Sequence, residues 1–280
     1  MRALDWNKTK SIFIVVFLIL NVFLYHQYLT GYNEAQRVEL LSEKKIESIL
    51  NDENITYKDL PQDIYEAPYI SAKVKNYTLD ELPAKQSVSY KLVTESQMQA
   101  IIGTSVSLGQ DITSLKLNEF VEQFVYNGSQ FKLWEIDEES RVATFFQVVN
   151  NQTLYYNVNG YVKIYWNDKQ EIFMYEQAML EKVEPLEQKE KIVAPIQVID
   201  ELYTENLLTA GSEIVSMKLG YSSLVQLTQT QLFTPTWEVR VKADGEEQIF
   251  FVNAVDSKVI EFNEKPLQED EELGDNENAI

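Results

Sequence analysis

The chain has 280 residues, no cysteine, one histidine and a formal net charge of −20, with 45% hydrophobic residues, 16 tyrosines and 13 phenylalanines. That much apolar and aromatic content supports a packed, β-rich core. The absence of Cys excludes disulfides and thiolate metal sites, and a single His excludes a His cluster or a His-based triad in the body. Without residues 1–10 the chain carries 21 basic and 43 acidic residues, a net −22, so it repels phosphate backbones and no nucleic-acid partner is expected.

The first element is an apolar run from Ile12 to Tyr25, broken only by Asn21. Carried on to Leu29 it makes about 27 Å of helix at 1.5 Å per residue, enough to cross a bilayer when its ends are interfacial. Trp6 precedes the run, and Tyr25, Tyr28 and Tyr32 close it, as in aromatic belts. The segment YHQYLTGYNEAQ lacks the small residues of a signal-peptidase site. Residues 11–29 are therefore expected to be an uncleaved transmembrane anchor. Arg2, Lys8 and Lys10 all precede it, so residues 1–10 are expected to be cytoplasmic and the body extracytoplasmic. Asn21 is costly in lipid: either it turns to another helix or it lies close enough to the outer interface to find water. Phe17, Leu18, Leu24 and Tyr25 share its face, so these five residues are the candidate partner-binding surface.

Residues 33–51 read as a juxtamembrane helix with Val38, Leu41, Ile46 and Ile49 on one side, ending near Asn51–Asn54. Ser87–Leu92 alternates as a strand, with Val88, Tyr90 and Leu92 inward. Thr113–Tyr126 reads as a helix with the stripe Leu117, Phe120, Val121, Phe124 and Val125. Strands dominate from Phe131, including 141–149 and 172–177. Asn159-Gly160 between Tyr155–Val158 and Tyr161–Trp166 signals a two-residue hairpin. The charged, Pro-punctuated stretch EKVEPLEQKEKIVAP reads as a linker over 181–194. Pro195 opens a third helix with Ile196, Ile199, Leu202, Tyr203 and Leu207 inward, ended by Gly211. A meander follows: Trp237, Val239 and Val241 face a core, with turns at Asp244-Gly245 and Asp256-Ser257.

The expected fold class is α+β: a single N-terminal transmembrane helix followed by two extracytoplasmic subdomains, each a helix plus antiparallel sheet. The first subdomain, with the juxtamembrane helix, occupies 30–180 and the second 195–263. Residues 264–280 form an acidic tail expected to be disordered. A short internal repeat relates Ile46…Leu50…Glu53-Asn54-Ile55 to Val198…Leu202…Glu205-Asn206-Leu207, each at a helix end.

Chemistry is sparse. His26 sits at the membrane boundary, no phosphate-binding, dinucleotide or nucleophile-elbow motif occurs, and Ser42-Glu-Lys-Lys45 lacks the companion motifs of a serine acyl-enzyme. Asp137-Glu138-Glu139 and Asp244-Gly-Glu-Glu247 fall at expected turns, where carboxylates are solvated. Trp134, Trp166 and Trp237 lie in strand patterns and read as core. No cofactor, metal ligand or catalytic set is expected.

Asp5-Trp6-Asn7-Lys8-Thr9-Lys10, then Ile12-Phe13, Phe17-Leu18, Leu20-Asn21 and Phe23-Leu24, resembles the start of the YycI (WalI) family. Pro235-Thr-Trp237-Glu-Val239 and Ile249-Phe-Phe-Val-Asn253-Ala254 resemble the terminal module of YycI/YycH regulatory proteins, itself similar to PepSY-type modules. Ser257 departs from that pattern at a turn where Gly is common. The resemblance implies a non-enzymatic regulator in the cell membrane of a Gram-positive bacterium. It would bind a YycH-like protein and modulate the WalK (YycG) histidine kinase that controls cell-wall metabolism. The alternative is a membrane-tethered receptor for a cell-wall fragment or peptide, using a groove beside Trp237. A secreted hydrolase would need cleavage of the apolar run and a convergent carboxylate pair.

Overall fold

The structure, a computed structural model, describes residues 6–62, 64–85, 87–109, 111–225 and 229–262; the side chains of 6–9, 11–12, 28–44 and 224–225 lie outside that description. The chain divides into two compact units. The first holds residues up to Thr56 together with Thr209–Ser212, and the second holds Tyr57–Leu208 and the residues from Glu213 onward.

The first unit is built on α1 (Trp6–Asp52), one helix of 47 residues. It runs unbroken through residues 30–32, between the expected anchor and the expected juxtamembrane helix. Gly31 is the weakest helix former there, and one Gly costs about 1 kcal/mol against Ala, well short of the ~3 kcal/mol by which a proline breaks a helix. Ile46 and Leu50 are buried and Ile49 half-buried; the side chains of Val38 and Leu41 lie outside the described residues. The helix ends at Asn54, which is left-handed (φ 56°). The Ile55 N–H donates to the Leu50 carbonyl (2.8 Å) and the Asn54 N–H to the Asn51 carbonyl (3.2 Å), a Schellman ending. The 209–212 loop closes on it: Gly211 N–H donates to the Glu53 carbonyl and Thr56 N–H to the Ser212 carbonyl, both at 2.9 Å.

The second unit is α+β with a large, mostly antiparallel sheet. In chain order, after the short β1 (Thr56–Tyr57), its strands begin with β2 (Glu66–Val74), β3 (Val88–Leu92) and β4 (Gln97–Ser107). Helix α2 (Ser114–Phe124) follows, capped by the Thr113 hydroxyl. Then come β5 (Phe131–Asp137), β6 (Val142–Val149), β7 (Gln152–Tyr155), β8 (Tyr161–Trp166), β9 (Glu171–Ala178) and β10 (Leu180–Lys191). Helix α3 (Pro195–Thr204) leads into β11 (Glu213–Val225), β12 (Thr230–Ala243), β13 (Glu246–Asn253) and β14 (Val259–Ile260).

Strands β3-β4-β9-β8-β6-β5 form one antiparallel half. Leu117, Phe120 and Val121 of α2 share a core with Met98, Ala100, Phe145, Val162, Ile164 and Tyr175 from those strands. The expected α2 stripe is what packs. In the other half, β11 and β12 pair along most of their length. One stretch of β12 (Thr230–Phe233) pairs with β2, and another (Thr236–Ala243) pairs with β13. Helix α3 buries Val198, Ile199 and Leu202, so the inward stripe includes Val198, which the sequence reading omitted. Strand β7 joins the halves, antiparallel to β6 and parallel to β11.

Four expectations are corrected. Residues 181–194 are no linker: most of the stretch is β10, paired with β2 from Leu180↔Val74 to Lys191↔Glu66. Its charges, its Pro185 and two register shifts are the marks of a protected edge strand, and from sequence they mimic a linker. The second subdomain is therefore not a separate sheet, since β2 and β10 continue it. The Asn159-Gly160 hairpin is absent as well, because β7 and β8 both pair with β6 and not with each other. The tight hairpin lies one turn earlier, at Asn150-Asn151 (φ 49° and 66°), with Val149 opposite Gln152. Two left-handed asparagines satisfy a type I′ turn. Gly160 instead sits close to Leu180: a Cβ there would lie 3.3 Å from Leu180 Cδ1, so that side chain would have to shift slightly. Finally, α3 stops at Asn206 (φ 60°) rather than Gly211. The Asp244-Gly245 hairpin and the turn at Ser257 (φ 62°) stand as expected. The 264–280 tail lies outside the described residues.

Candidate functional site

The candidate interface is the exposed apolar face of α1. From Phe13 to Tyr25 every large apolar side chain is 46–66% exposed. Phe17, Leu18, Asn21 and Tyr25 line one open groove of about 460 Å³ together with Ile14 and Val22. At 100° per residue these six positions fall within an arc of about 140°, so the helical period alone brings them together. Leu24 is exposed on the same helix and does not line the groove. Ile14 and Val22 were missed from sequence, although both lie four residues from Leu18. Among the described residues no helix is long and apolar enough to cross a membrane; the described side chains of the apolar run are those of 13–27, all exposed.

The body offers little catalytic chemistry. Glu138 and Glu139 are exposed at a turn. Asp137 accepts from the Ser140 N–H (2.9 Å), and hydrogen bonds from the Ser140 hydroxyl and backbone hold its carboxyl below the usual range. Asp244 occupies a hairpin turn. Among the described residues no group of three acidic or His side chains could hold a metal ion. Trp237 is wholly buried, and its indole N–H donates to the Val193 carbonyl (3.1 Å). Trp166 is also buried. The Trp237 ring is therefore closed to a ligand, contrary to the expectation of a groove that uses it.

One buried polar network stands out. Glu238 accepts from the Tyr155 hydroxyl (2.8 Å) and from Arg240 Nε (2.6 Å), and Arg240 Nη1 reaches Glu247 (2.9 Å). Burial, then the Glu238 charge, push the Tyr155 hydroxyl well up. Burial would lower Arg240, but its bonds to Glu238 and Glu247 outweigh it and raise the guanidinium.

The fold has distant likenesses among solved structures. An uncharacterized protein from Eubacterium rectale aligns at 11% identity over 75% of this chain and 90% of its own, with a TM-score of 0.42. The Bacillus megaterium YpeB C-terminal domain aligns at 14% identity over 78% of this chain and 95% of its own, with a TM-score of 0.39. No curated protein matches. The family comparison is decisive: residues 35–255 match the model described as YycI protein. That span covers most of the chain, excludes the N-terminal motif, and carries a two-component regulatory role associated with WalK in a family not known for enzymes. The chain belongs to the YycI family.

Proposed function

We propose that this protein is a non-enzymatic regulator held in the cell membrane by residues 11–29. Its N-terminus is cytoplasmic and its body extracytoplasmic, and it binds a YycH-type partner and modulates the WalK sensor kinase. The observation that carries this reading is α1, which runs from Trp6 to Asp52 without a break and exposes its apolar face around Asn21. At 1.5 Å per residue the helix is about 70 Å long, more than twice a hydrocarbon core. Such a helix is long enough to carry an intramembrane contact surface and still extend well beyond the bilayer. A regulator without chemistry acts by binding the kinase's signalling states unequally, and helix packing supplies that difference.

The test is Asn21→Leu in the full chain, read by a kinase-dependent reporter and by co-purification of WalK and the YycH-type protein. An interhelical amide bond contributes about 1 kcal/mol. Retention of partner should therefore fall roughly fivefold, with insertion and protein level unchanged. Normal insertion with unchanged reporter output and partner recovery would sink the intramembrane contact.

A further inference from the structure

A cleft of about 370 Å³ opens beside β5, β6 and β8 in the second unit, a volume within the range of small-molecule sites. Rings of Trp134, Phe146, Tyr156 and Tyr161 line it, with Glu135, Asp137 and Lys163 among its polar groups. In a regular strand Trp134 and Glu135 would point to opposite faces. Here the pairing with β6 shifts between Leu133↔Phe145 and Glu135↔Thr144, leaving Trp134 as the extra residue of a bulge. Bulges re-aim side chains in this way, and both neighbours line the cleft. Tyr156, at φ 46°, brings its ring to the cleft from a left-handed backbone that bulky residues rarely adopt. Trp134 is held by edge and tilted contacts to Phe146, Tyr155, Tyr156 and Phe251 at 5.2–6.0 Å.

The charges select the ligand. The Arg240 guanidinium already lies over Trp134 at 5.0 Å, and Lys163 Nζ lies 5.8 Å from the Tyr161 ring. These rings are therefore served by the chain's own cations, which oppose an ammonium ligand. Glu135 and Asp137 oppose an anion. What fits is a neutral molecule with one apolar face for the rings and a rim of hydroxyls or amides for the carboxylates and Lys163. We propose that this cleft binds a neutral saccharide, its C–H groups in the corner where the Trp134 and Tyr156 rings meet at 76° and its hydroxyls on Glu135, Asp137 and Lys163. The proposal does not rest on the partner reading, since it concerns a different surface and is measured without kinase or partner.

The test titrates tri-N-acetylchitotriose and maltotriose into the full chain in detergent micelles, followed by calorimetry and tryptophan fluorescence, with choline and inorganic phosphate as counter-probes. At least one trisaccharide should bind saturably and quench emission, and neither counter-probe should bind. Trp134→Phe keeps a ring in the cluster and should remove the quench. Glu135→Gln, at an exposed position, should weaken binding about tenfold, as expected for a charged hydrogen bond. Thermal melting verifies that both variants fold. Absence of saturation by either saccharide to about 20 mM, far above the about 1 mM affinity at which a ligand of −4 kcal/mol saturates, would overturn the proposal. So would binding that both variants leave intact, or saturable binding of choline or phosphate.

Discussion

Glu238 shows what one residue's surroundings decide. In Trp237-Glu-Val-Arg-Val241 it sits on the polar side of an alternating strand, yet it is 3% exposed. The second face of β12 is covered, and the carboxylate is tolerated because Tyr155 and Arg240 both donate to it. Tyr155→Phe removes one donor from a buried charge and should cost about 1–3 kcal/mol in denaturant unfolding. The pH dependence follows from the same contact. The folded pKa of Tyr155 is raised above its ordinary value of 10.0. Its contribution is therefore complete below pH ~10 and is lost as pH rises beyond that value. The Phe variant should lose stability less steeply above pH ~10 than the parent, measured by chemical denaturation across that window.

At the scale of elements, the short repeat noticed in sequence proves to be a pair of matching helix endings. Asn206 repeats the role of Asn54: Leu207 N–H donates to the Leu202 carbonyl (2.9 Å), and Asn206 N–H to the Tyr203 carbonyl (3.0 Å). Glu-Asn-aliphatic is thus a Schellman signature, with Asn supplying the left-handed residue and the aliphatic closing over the helix. Asn54→Ala and Asn206→Ala should each cost about 1 kcal/mol, and the Gly variants should cost nothing, by thermal or denaturant melts. The continuity of α1 carries the functional prediction. Gly31→Pro removes a hydrogen bond and kinks the helix at a cost of about 3 kcal/mol. If α1 couples membrane to body, the variant should insert normally and lose kinase-reporter response; a full response would show that the unbroken helix is dispensable. Strand β10 was illegible for a physical reason. An edge strand carries the Lys, Glu and Pro that prevent stray pairing, and the same residues characterise a linker.

For the molecule as a whole, β7 is the joint. Its first two residues, Gln152 and Thr153, pair antiparallel with β6, and its last two, Leu154 and Tyr155, run parallel to β11. Gly220 of β11 makes the close approach possible: a Cβ there would meet Thr153 O at 2.6 Å and Tyr155 Cε2 at 2.4 Å. Backbone cannot step aside as a long side chain can, so Gly220→Ala should cost about 1–3 kcal/mol through overpacking. Urea unfolding measures it, and a neutral substitution would mean that the joint is looser than its geometry. Local pattern determined much of this protein by itself: α2 and its stripe, Pro195 opening α3, the Asp244-Gly245 hairpin, and the family. Period and turn chemistry are properties of neighbouring residues, so they are readable along the chain. Only tertiary structure decided that β10 completes the sheet, that β7 pairs with β11, that Trp237 is closed while Trp134 lines a cleft, and that Glu238 is buried. Each of these depends on what lies across from a residue rather than beside it, and strand partners far apart in sequence leave no local trace.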